Sequence, residues 1–455
     1  MRGLFLCTTD SLMLWAGGMK GETSAANPPV SLATAVAVVV ASMVGTGVFT
    51  SLGFQVRDVS AGFPILVLWV LGGLVSLCGA FCYAELVAMM PRSGGEYHLL
   101  SSALHPMAGF LAGWVSITAG FAAPMAAAGV VFGTYMADLF PELGIGVRWY
   151  GLALLLLVAG VQLLSLQFVE RFQVGFTVMK LGLIGIFVLG ALWMGANRWE
   201  LLLPKSGEGG YYVSQPYAIA LVYVMYAYTG WNGAVYVAGE MADVKRQLPR
   251  ALMMGTLGVM VLYVGLNAVF LMSAPWSVLE GKPEVALVAA RSIFGAWGGN
   301  GMGGIIAFGL VAHMSAMLFA GTRVLRVIGE DVWFMRWMNR RNPAGAPWLA
   351  VVVLAGTVLV LMMSGTFEQL LLYIQGLLLM SSMLCVVAVP WLRWRSPGME
   401  RPFKVPLYPL PPLVFVGVTG WMLWALVGER PVESAWGLLT LVVGAGLYAL
   451  KKMKG

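Results

Sequence analysis

The side chains that could carry acid, base or metal chemistry are few and scattered in this chain of 455 residues. Its three histidines, His98, His105 and His313, do not stand at metal-ligand spacing from carboxylates. No GxxxxGK[ST] loop is present to hold nucleotide phosphates, and neither HExxH nor GxSxG is present for hydrolysis. The sequence therefore predicts no enzyme, no ATP-driven pump, no metal and no cofactor.

Two interrupted apolar runs suggest a different chemistry, that of the bare peptide backbone. One run contains ASMVGTGVFTS (41–51), and the other contains AYTGWNG (227–233). In hydrocarbon each unpaired peptide group costs several kcal/mol, so a broken backbone persists there only where protein, water or a ligand satisfies it. Close helix packing at glycine is the alternative reason for such residues. Two matched breaks favour a binding site over packing alone.

Membrane helices must position these breaks, because 60% of the residues are apolar and only 10% are charged, with a mean hydropathy of +0.84. Soluble domains are roughly 25% charged. A span needs ~20 apolar residues, and we predict twelve spans: 31–52, 64–89, 107–136, 150–166, 172–193, 217–238, 252–274, 301–328, 349–364, 370–391, 413–427 and 435–450. The predicted fold class is an all-α polytopic membrane protein.

The two breaks fall in the first and sixth predicted spans, so the second break lies five spans after the first. An odd number of spans inverts the second copy of a repeat relative to the first. Glycine-interrupted segments at matching places in two inverted halves indicate the binding site of a secondary transporter near the bilayer midplane.

Lysine and arginine predict the orientation, since cytoplasmic loops carry an excess of them. With the N-terminus inside, nineteen of the 27 fall in cytoplasmic segments and seven outside, while Lys180 lies within a span. Both termini are expected to be cytoplasmic, with residues 1–30 a cytoplasmic tail whose alternative start is Met19. The net charge of +7 is then a topology signal, and no basic face interleaved with aromatics predicts a nucleic-acid partner.

Five stretches resemble the amino-acid permeases of the amino acid/polyamine/organocation superfamily, closest to its L-amino-acid-transporter-like branch. VGTGVF (44–49) is similar to that branch's G-S-G-I-F signature, and AYTGWN with AGEMADVKRQLPRAL (227–252) is the most specific match, with Val244 where the family usually has proline. The other three are YAELVAMMPRSGGEY (83–97), FTVMKLGLI (176–184) and RPFKVPLYPLPP (401–412).

This resemblance implies a LeuT-type fold of two five-helix inverted repeats with two further helices. The first repeat would span 31–193, the second 217–391, and the additional pair 405–450. It also implies secondary transport by alternating access.

The resemblance implies that backbone groups of both breaks bind the substrate. The amides of Thr46 and Gly47 would hold its α-carboxylate, because a half-helix N-terminus presents free N–H groups and partial positive charge. The carbonyls of Met43, Tyr226 and Thr229 would hold its α-ammonium. Tyr226 also stands where the family has an aromatic gate.

Five further residues match family positions with supporting roles. Trp231 and Asn232 would brace the second break without binding substrate. Glu85, Glu240 and Arg323 lie at the cytoplasmic ends of spans, where they would pair to close an inner gate or form surface ion pairs of no consequence. His313, inside the eighth span, is either a proton relay or a neutral imidazole bonded to a neighbouring helix.

Lys180 lies about eight residues into the fifth span, hence about 12 Å along it at 1.5 Å per residue. A lysine can reach back from such a depth to the interface. The resemblance implies instead a fixed ammonium standing where other carriers bind sodium. Transport would then be sodium-independent, with Lys180 either titrating in proton symport or a permanent charge in exchange.

The substrate class follows from the charges near the breaks. No Asp or Glu falls mid-span close to either break, which favours a neutral L-amino acid over the alternative, a polyamine or cationic amino-acid antiporter. The expected partners are that amino acid, protons and the lipid bilayer of the cell membrane, without nucleotide or nucleic acid.

Overall fold

The fold is described from a computed structural model. It describes residues 31–92, 94–163, 166–194, 198–241, 243–343 and 346–452, and within these ranges every regular element is helical. The side chains of residues 166–178, Lys180, Val237, Gly239, Glu240 and 451–452 lie outside the description.

Seventeen α-helices follow one another along the described chain. They are α1 Leu32–Met43, α2 Gly47–Thr50, α3 Leu52–Asp58, α4 Gly62–Met89, α5 Gly95–Ala103, α6 Pro106–Val115, α7 Ala123–Leu139, α8 Val147–Gln162, α9 Leu166–Met194, α10 Gln215–Tyr228, α11 Val244–Ser273, α12 Trp276–Leu279, α13 Val285–Asp331, α14 Trp348–Ser364, α15 Phe367–Arg395, α16 Leu410–Glu429 and α17 Pro431–Lys452. A π-helical turn, Ser116–Ala122, joins α6 to α7, and Gly295 interrupts α13 with φ +72°.

Short 3₁₀ segments complete the regular structure. They are Pro141–Leu143, Trp199–Leu202, Glu208–Gly210, Gly233–Glu240 and Trp333–Asn339. The fourth, called the 3₁₀ segment below, continues the chain after α10.

Within the described ranges, eight helical stretches are long and apolar enough to cross a membrane: Leu32–Thr50, Gly62–Met89, Pro106–Leu139, Val244–Ser273, Val285–Asp331, Phe367–Arg395, Leu410–Glu429 and Pro431–Leu450. Three shorter apolar helices are Val147–Gln162, Leu181–Met194 and Trp348–Ser364. The chain is thus an all-helical, multi-pass membrane protein. The count of twelve spans stays a prediction.

Both predicted interruptions are present as breaks in helices. The first break separates Met43, the last residue of α1, from Gly47, the first residue of α2. The second break runs from Thr229 to Asn232, between α10 and the 3₁₀ segment. Gly230 has φ +100°, a conformation that glycine adopts without the steric cost of a Cβ atom.

The two broken segments run antiparallel to each other. α1, before the first break, contacts the 3₁₀ segment after the second break, while α2 and α3 contact α10 before it. The breaks therefore meet in the middle of the bundle. α11 packs along both α1 and α4 and so supports the first broken segment.

Local capping sets where the helices around the breaks begin. The Ser31 and Ser214 side chains accept hydrogen bonds from backbone N–H groups in the first turns of α1 and α10. Thr366 and Gln369 form a reciprocal capping box at the start of α15. Such caps satisfy N–H groups that have no partner within the helix.

Candidate functional site

A cavity of about 480 Å³ lies beside the two breaks. Ser42 contributes to its wall from α1, the second break contributes Thr229 to Asn232, and α15 contributes Gln375. From there the cavity extends along α13 past Arg323 and Arg326 to Arg341, which is exposed at the surface. It is open at this end, called the arginine end below.

Glycines at the second break allow it to approach α1 closely. A Cβ atom on Gly230 would lie 2.6 Å from the Ser42 carbonyl oxygen, and one on Gly233 would lie 2.6 Å from the Ser42 hydroxyl. Real Cβ atoms do not approach other heavy atoms so closely. Glycine at these two positions therefore lets the second break and the start of the 3₁₀ segment pack against the end of α1.

Tyr263 of α11 links the helix ends on both sides of the site. Its side chain is fully buried, and its hydroxyl lies 2.7 Å from the Met43 carbonyl oxygen and 3.1 Å from the Ala227 carbonyl oxygen. One hydroxyl hydrogen is thus shared between carbonyls at the C-terminal ends of α1 and α10. This contact fixes the separation of the two broken segments.

Replacing Tyr263 with phenylalanine is expected to lower amino-acid uptake, because two buried carbonyls lose their donor. Leaving a buried polar group without a partner costs about 1–3 kcal/mol. Tyr373→Phe is the matched control, since its hydroxyl bonds Thr440 between α15 and α17, away from the breaks. Equal uptake by the two variants in proteoliposomes would contradict a role for Tyr263 in positioning the breaks.

A second direct link joins the first break to α10. The Thr46 hydroxyl lies 2.8 Å from the Tyr226 hydroxyl, and both residues are buried. The backbone N–H groups of Thr46 and Gly47 donate to no acceptor among the described residues. Buried backbone donors are rarely left unpaired, so these two require a partner that the described residues do not supply.

An aromatic layer, none of whose rings lines the cavity, joins the two broken segments to α15. The ring of Phe54 stacks on Tyr223 at 5.4 Å between centroids and on Phe367 at 6.0 Å, while Tyr226 meets Phe367 edge to face at 6.3 Å. These rings come from α3, α10 and α15. They connect both broken segments to α15 just beyond the breaks.

An ion cluster lies next to this aromatic layer and is called the Glu368 cluster. Glu368 Oε1 accepts hydrogen bonds from Arg57 at 2.8 Å, Tyr223 at 2.7 Å and Arg430 at 3.1 Å. The hydrogen bond to Glu368 raises the pKa of Arg57 further above its ordinary value, so Arg57 stays charged. α3, α10, α15 and the end of α16 are thereby held together.

The predicted binding residues divide into two groups. Thr229 lines the cavity, whereas Met43, Thr46, Gly47 and Tyr226 do not line it in this structure. For Gly47 the structure gives a reason that the sequence did not suggest. A Cβ atom at Gly47 would lie 2.5 Å from Ala227 Cα, so glycine here lets α2 approach α10.

Trp231 and Asn232 both line the cavity, and both also bond or pack to neighbouring helices. Trp231 packs edge to face on Tyr83 at 4.8 Å and on Phe415 at 6.3 Å. The Asn232 amide lies 3.4 Å from Glu96 Oε1. These contacts join the second break to α4, α16 and α5.

Glu96 of α5 is a buried carboxylate in the cavity wall that the sequence analysis did not identify. Besides Asn232, it accepts hydrogen bonds from Tyr83 at 2.5 Å, Ser382 at 3.1 Å and Ser381. Burial raises the pKa of the Glu96 carboxyl, and the hydrogen bonds from the two serines and the tyrosine oppose that rise.

Glu85, one of the predicted gate residues, is 1% exposed and therefore is not part of a surface ion pair. Arg393 of α15 bonds both of its carboxylate oxygens, at 2.9 and 2.6 Å, and Arg401 lies 3.7 Å away. The Val405 N–H also donates to it at 2.7 Å. Glu85 thus ties α4 to the end of α15 and to the segment that leads into α16.

Of the remaining predicted residues, Arg323 and His313 line the cavity. Arg323 lines the cavity, with its guanidinium 3.9 Å from the centroid of the Phe319 ring. His313 is buried in the wall and packs against Gly45, where a Cβ atom would lie 2.9 Å from its Cε1. The side chains of Lys180 and Glu240 lie outside the described residues, so their proposed roles stay predictions.

No group of three or more His, Cys, Asp or Glu side chains suited to a metal ion occurs among the described residues. Sequence reasoning also missed Tyr263, Glu368 and Gln375. Tyr263 and Gln375 lie within the otherwise apolar stretches 257–266 and 374–380, and a polar group inside such a stretch is the signal that marks them. For Glu368 the sequence contains only a charge near a helix start.

The sequence that forms these two adjoining helix breaks matches a known protein family over most of its length. The profile of the family described as "Amino acid permease" matches residues 30–447. The chain belongs to this family. The permease is thus a transporter by family, and its match covers both breaks, the cavity and the Glu368 cluster.

Characterised relatives resemble the permease over nearly its whole length. It is 26% identical over 445 residues to the "Serine/threonine exchanger SteT" of Bacillus subtilis (strain 168), covering 96% of this chain and 100% of that protein. The human "Asc-type amino acid transporter 1" is 26% identical over 446 residues, covering 94% of this chain and 83% of that protein. The rabbit (Oryctolagus cuniculus) "Large neutral amino acids transporter small subunit 2" is 28% identical over 437 residues, covering 92% of this chain and 80% of that protein.

Proposed function

We propose that the permease is a secondary active transporter of neutral L-amino acids that works by alternating access. The observation that carries this proposal is the meeting of two helix breaks beside one cavity. Broken helices at a repeat interface are the binding-site architecture of secondary transporters. The relatives named above, whose names refer to amino acids, support the same substrate class.

The amino acid's backbone is bound by peptide groups of the breaks. Its α-carboxylate meets the unpaired N–H groups of Thr46 and Gly47, and its α-ammonium meets carbonyls of Met43, Tyr226 and Thr229. Thr46 already bonds Tyr226, which supports binding by both breaks together. A ligand of this kind would satisfy donors that otherwise have no partner among the described residues.

Two features of the cavity favour a neutral substrate over a polyamine or a cationic amino acid. The Glu96 carboxylate accepts hydrogen bonds from four side chains, so little of its acceptor capacity is left for a substrate cation. Arg323, Arg326 and Arg341 line the path to the surface. Like charges along a narrow path repel a cation and lower its local concentration.

The orientation proposed from the sequence makes the arginine end cytoplasmic and the Glu368 cluster external. The structure then represents a state open to the cytoplasm, in a cell membrane, with both termini inside. The proposed architecture is twelve spans with inverted repeats over 31–193 and 217–391, followed by a pair over 405–450. The antiparallel contact of the two broken segments supports the inversion.

Uptake into proteoliposomes tests this function. A labelled neutral amino acid is expected to accumulate and to exchange with internal substrate, and unlabelled neutral amino acids are expected to compete better than arginine, lysine or putrescine. Empty liposomes give the background. Stronger competition by the cations would assign the permease to the cationic antiporters, and no uptake of any amino acid would contradict the proposal.

We further propose that transport is independent of sodium and that Lys180 couples the first break to substrate binding. Wild-type uptake is expected to persist when choline replaces sodium and to depend on a proton gradient or on internal amino acid. Lys180→Ala is expected to lose that uptake. Strict sodium dependence of the wild type, or normal uptake by Lys180→Ala, would show this role to be wrong.

A further inference from the structure

Gln375 of α15 is a buried amide in the cavity wall that bonds the second break. Its side chain is 3% exposed, and its Oε1 lies 3.0 Å from the Thr229 hydroxyl. In the described part of the chain this is the one hydrogen bond that the Gln375 side chain makes. One polar end of the amide is therefore satisfied, and the other is available to whatever occupies the cavity.

The available end of the amide is polar whichever way the group is oriented. The Thr229 hydroxyl also lies 3.2 Å from the Met225 carbonyl oxygen, and a hydroxyl has one hydrogen to donate. If that hydrogen goes to Met225, the Gln375 NH₂ donates to Thr229 and the Gln375 oxygen is available. If it goes to Gln375, the NH₂ is available.

A substrate hydroxyl fits both cases, because it can donate and accept. A purely apolar side chain fits neither, since it would leave a buried polar group without a partner at a cost of about 1–3 kcal/mol. Gln375 and Gly120 both line the cavity of about 480 Å³, so a substrate side chain that enters the cavity can reach Gln375.

We propose that Gln375 is the specificity-determining residue of the permease and selects neutral amino acids with a hydroxyl side chain, of the serine and threonine type. This inference rests on the proposed function. Gln375 acts through a direct hydrogen bond to the substrate side chain, while the breaks bind the substrate backbone. Its bond to Thr229 links the recognition of the side chain to the second break.

Competition by serine and by alanine isolates this hydrogen bond, because the two differ by one hydroxyl group. Unlabelled serine and alanine are compared as competitors of labelled amino-acid uptake into proteoliposomes. In wild type, serine is expected to inhibit at a concentration about tenfold lower than alanine, the factor that corresponds to one net hydrogen bond. Gln375→Met keeps the side-chain length and removes both polar ends. It is expected to lose the preference for serine, so that serine and alanine compete equally for the uptake that the variant retains.

Gln162→Met is the matched comparison, since Gln162 is also a buried amide in the cavity wall but bonds Ser315 of α13 at 2.9 and 3.3 Å instead of a break. It is expected to keep the preference for serine. Equal competition by serine and alanine in wild type would overturn the inference. So would a preference for serine that persists in Gln375→Met, whether or not it is lost in Gln162→Met. Either result with alanine uptake intact leaves the proposed transport function standing, whereas no uptake of any amino acid contradicts both.

Discussion

Replacing Gly47 with alanine or leucine is expected to abolish amino-acid uptake while the protein still inserts in the membrane. The smallest side chain would place its Cβ atom 2.5 Å from Ala227 Cα and 2.9 Å from Ala227 Cβ. Both are atoms of a packed helix, so α2 must move away from α10. Overpacking of this kind costs about 1–3 kcal/mol or more. The movement of α2 also separates the two breaks that we propose bind the substrate.

The control for Gly47 is Gly417, a glycine within α16 whose Cβ direction is open. Gly417→Leu is expected to leave uptake unchanged. Uptake per molecule of protein is measured in proteoliposomes after the amount and monodispersity of each variant are matched. Normal uptake by Gly47→Ala would show that the close approach of α2 and α10 is not required.

Replacing Glu85 with alanine is expected to produce the largest loss of stability. The variant leaves Arg393 and Arg401 without the carboxylate that both face, and the Val405 N–H loses its acceptor. Removing one partner of a buried ion pair costs about 3–5 kcal/mol. Thermal unfolding in detergent measures the change.

Glu400→Ala is the matched control for this charge removal. Glu400 is paired with Lys245 at 3.7 Å on the surface, and its side chain is 83% exposed. Exposed pairs of this kind contribute little to stability, so the variant is expected to unfold at the wild-type temperature. Equal melting temperatures for Glu85→Ala and wild type would contradict a structural role for the buried pair.

The helix breaks were predictable from the sequence because glycine inside an apolar run has a local physical meaning. Both predicted breaks are present, and the resemblance to the permease family is confirmed by the match over residues 30–447. Apolar composition likewise indicated an all-helical membrane protein. These inferences depend on residues that are close together in the chain.

The partners across the site were not predictable, because they lie far apart in the chain. Tyr263 meets Met43, Glu96 meets Ser381, and Glu85 meets Arg393. Each contact depends on how helices rotate and tilt against one another, which apolar periodicity does not specify in a bundle that is apolar on most faces. For the same reason the close contact of Gly47 with Ala227 was not foreseen.

The ion clusters that join the helices differ in how far water reaches them. Arg57, Glu368 and Arg430 keep between 23 and 33% of their side chains exposed, whereas Glu85, which joins α4 to α15, is 1% exposed. Separating a partly exposed cluster costs less than separating a buried ion pair, because water can solvate the parted charges. We therefore expect the helices joined by the Glu368 cluster to part more easily than α4 and α15, which the buried Glu85 pair holds as one unit.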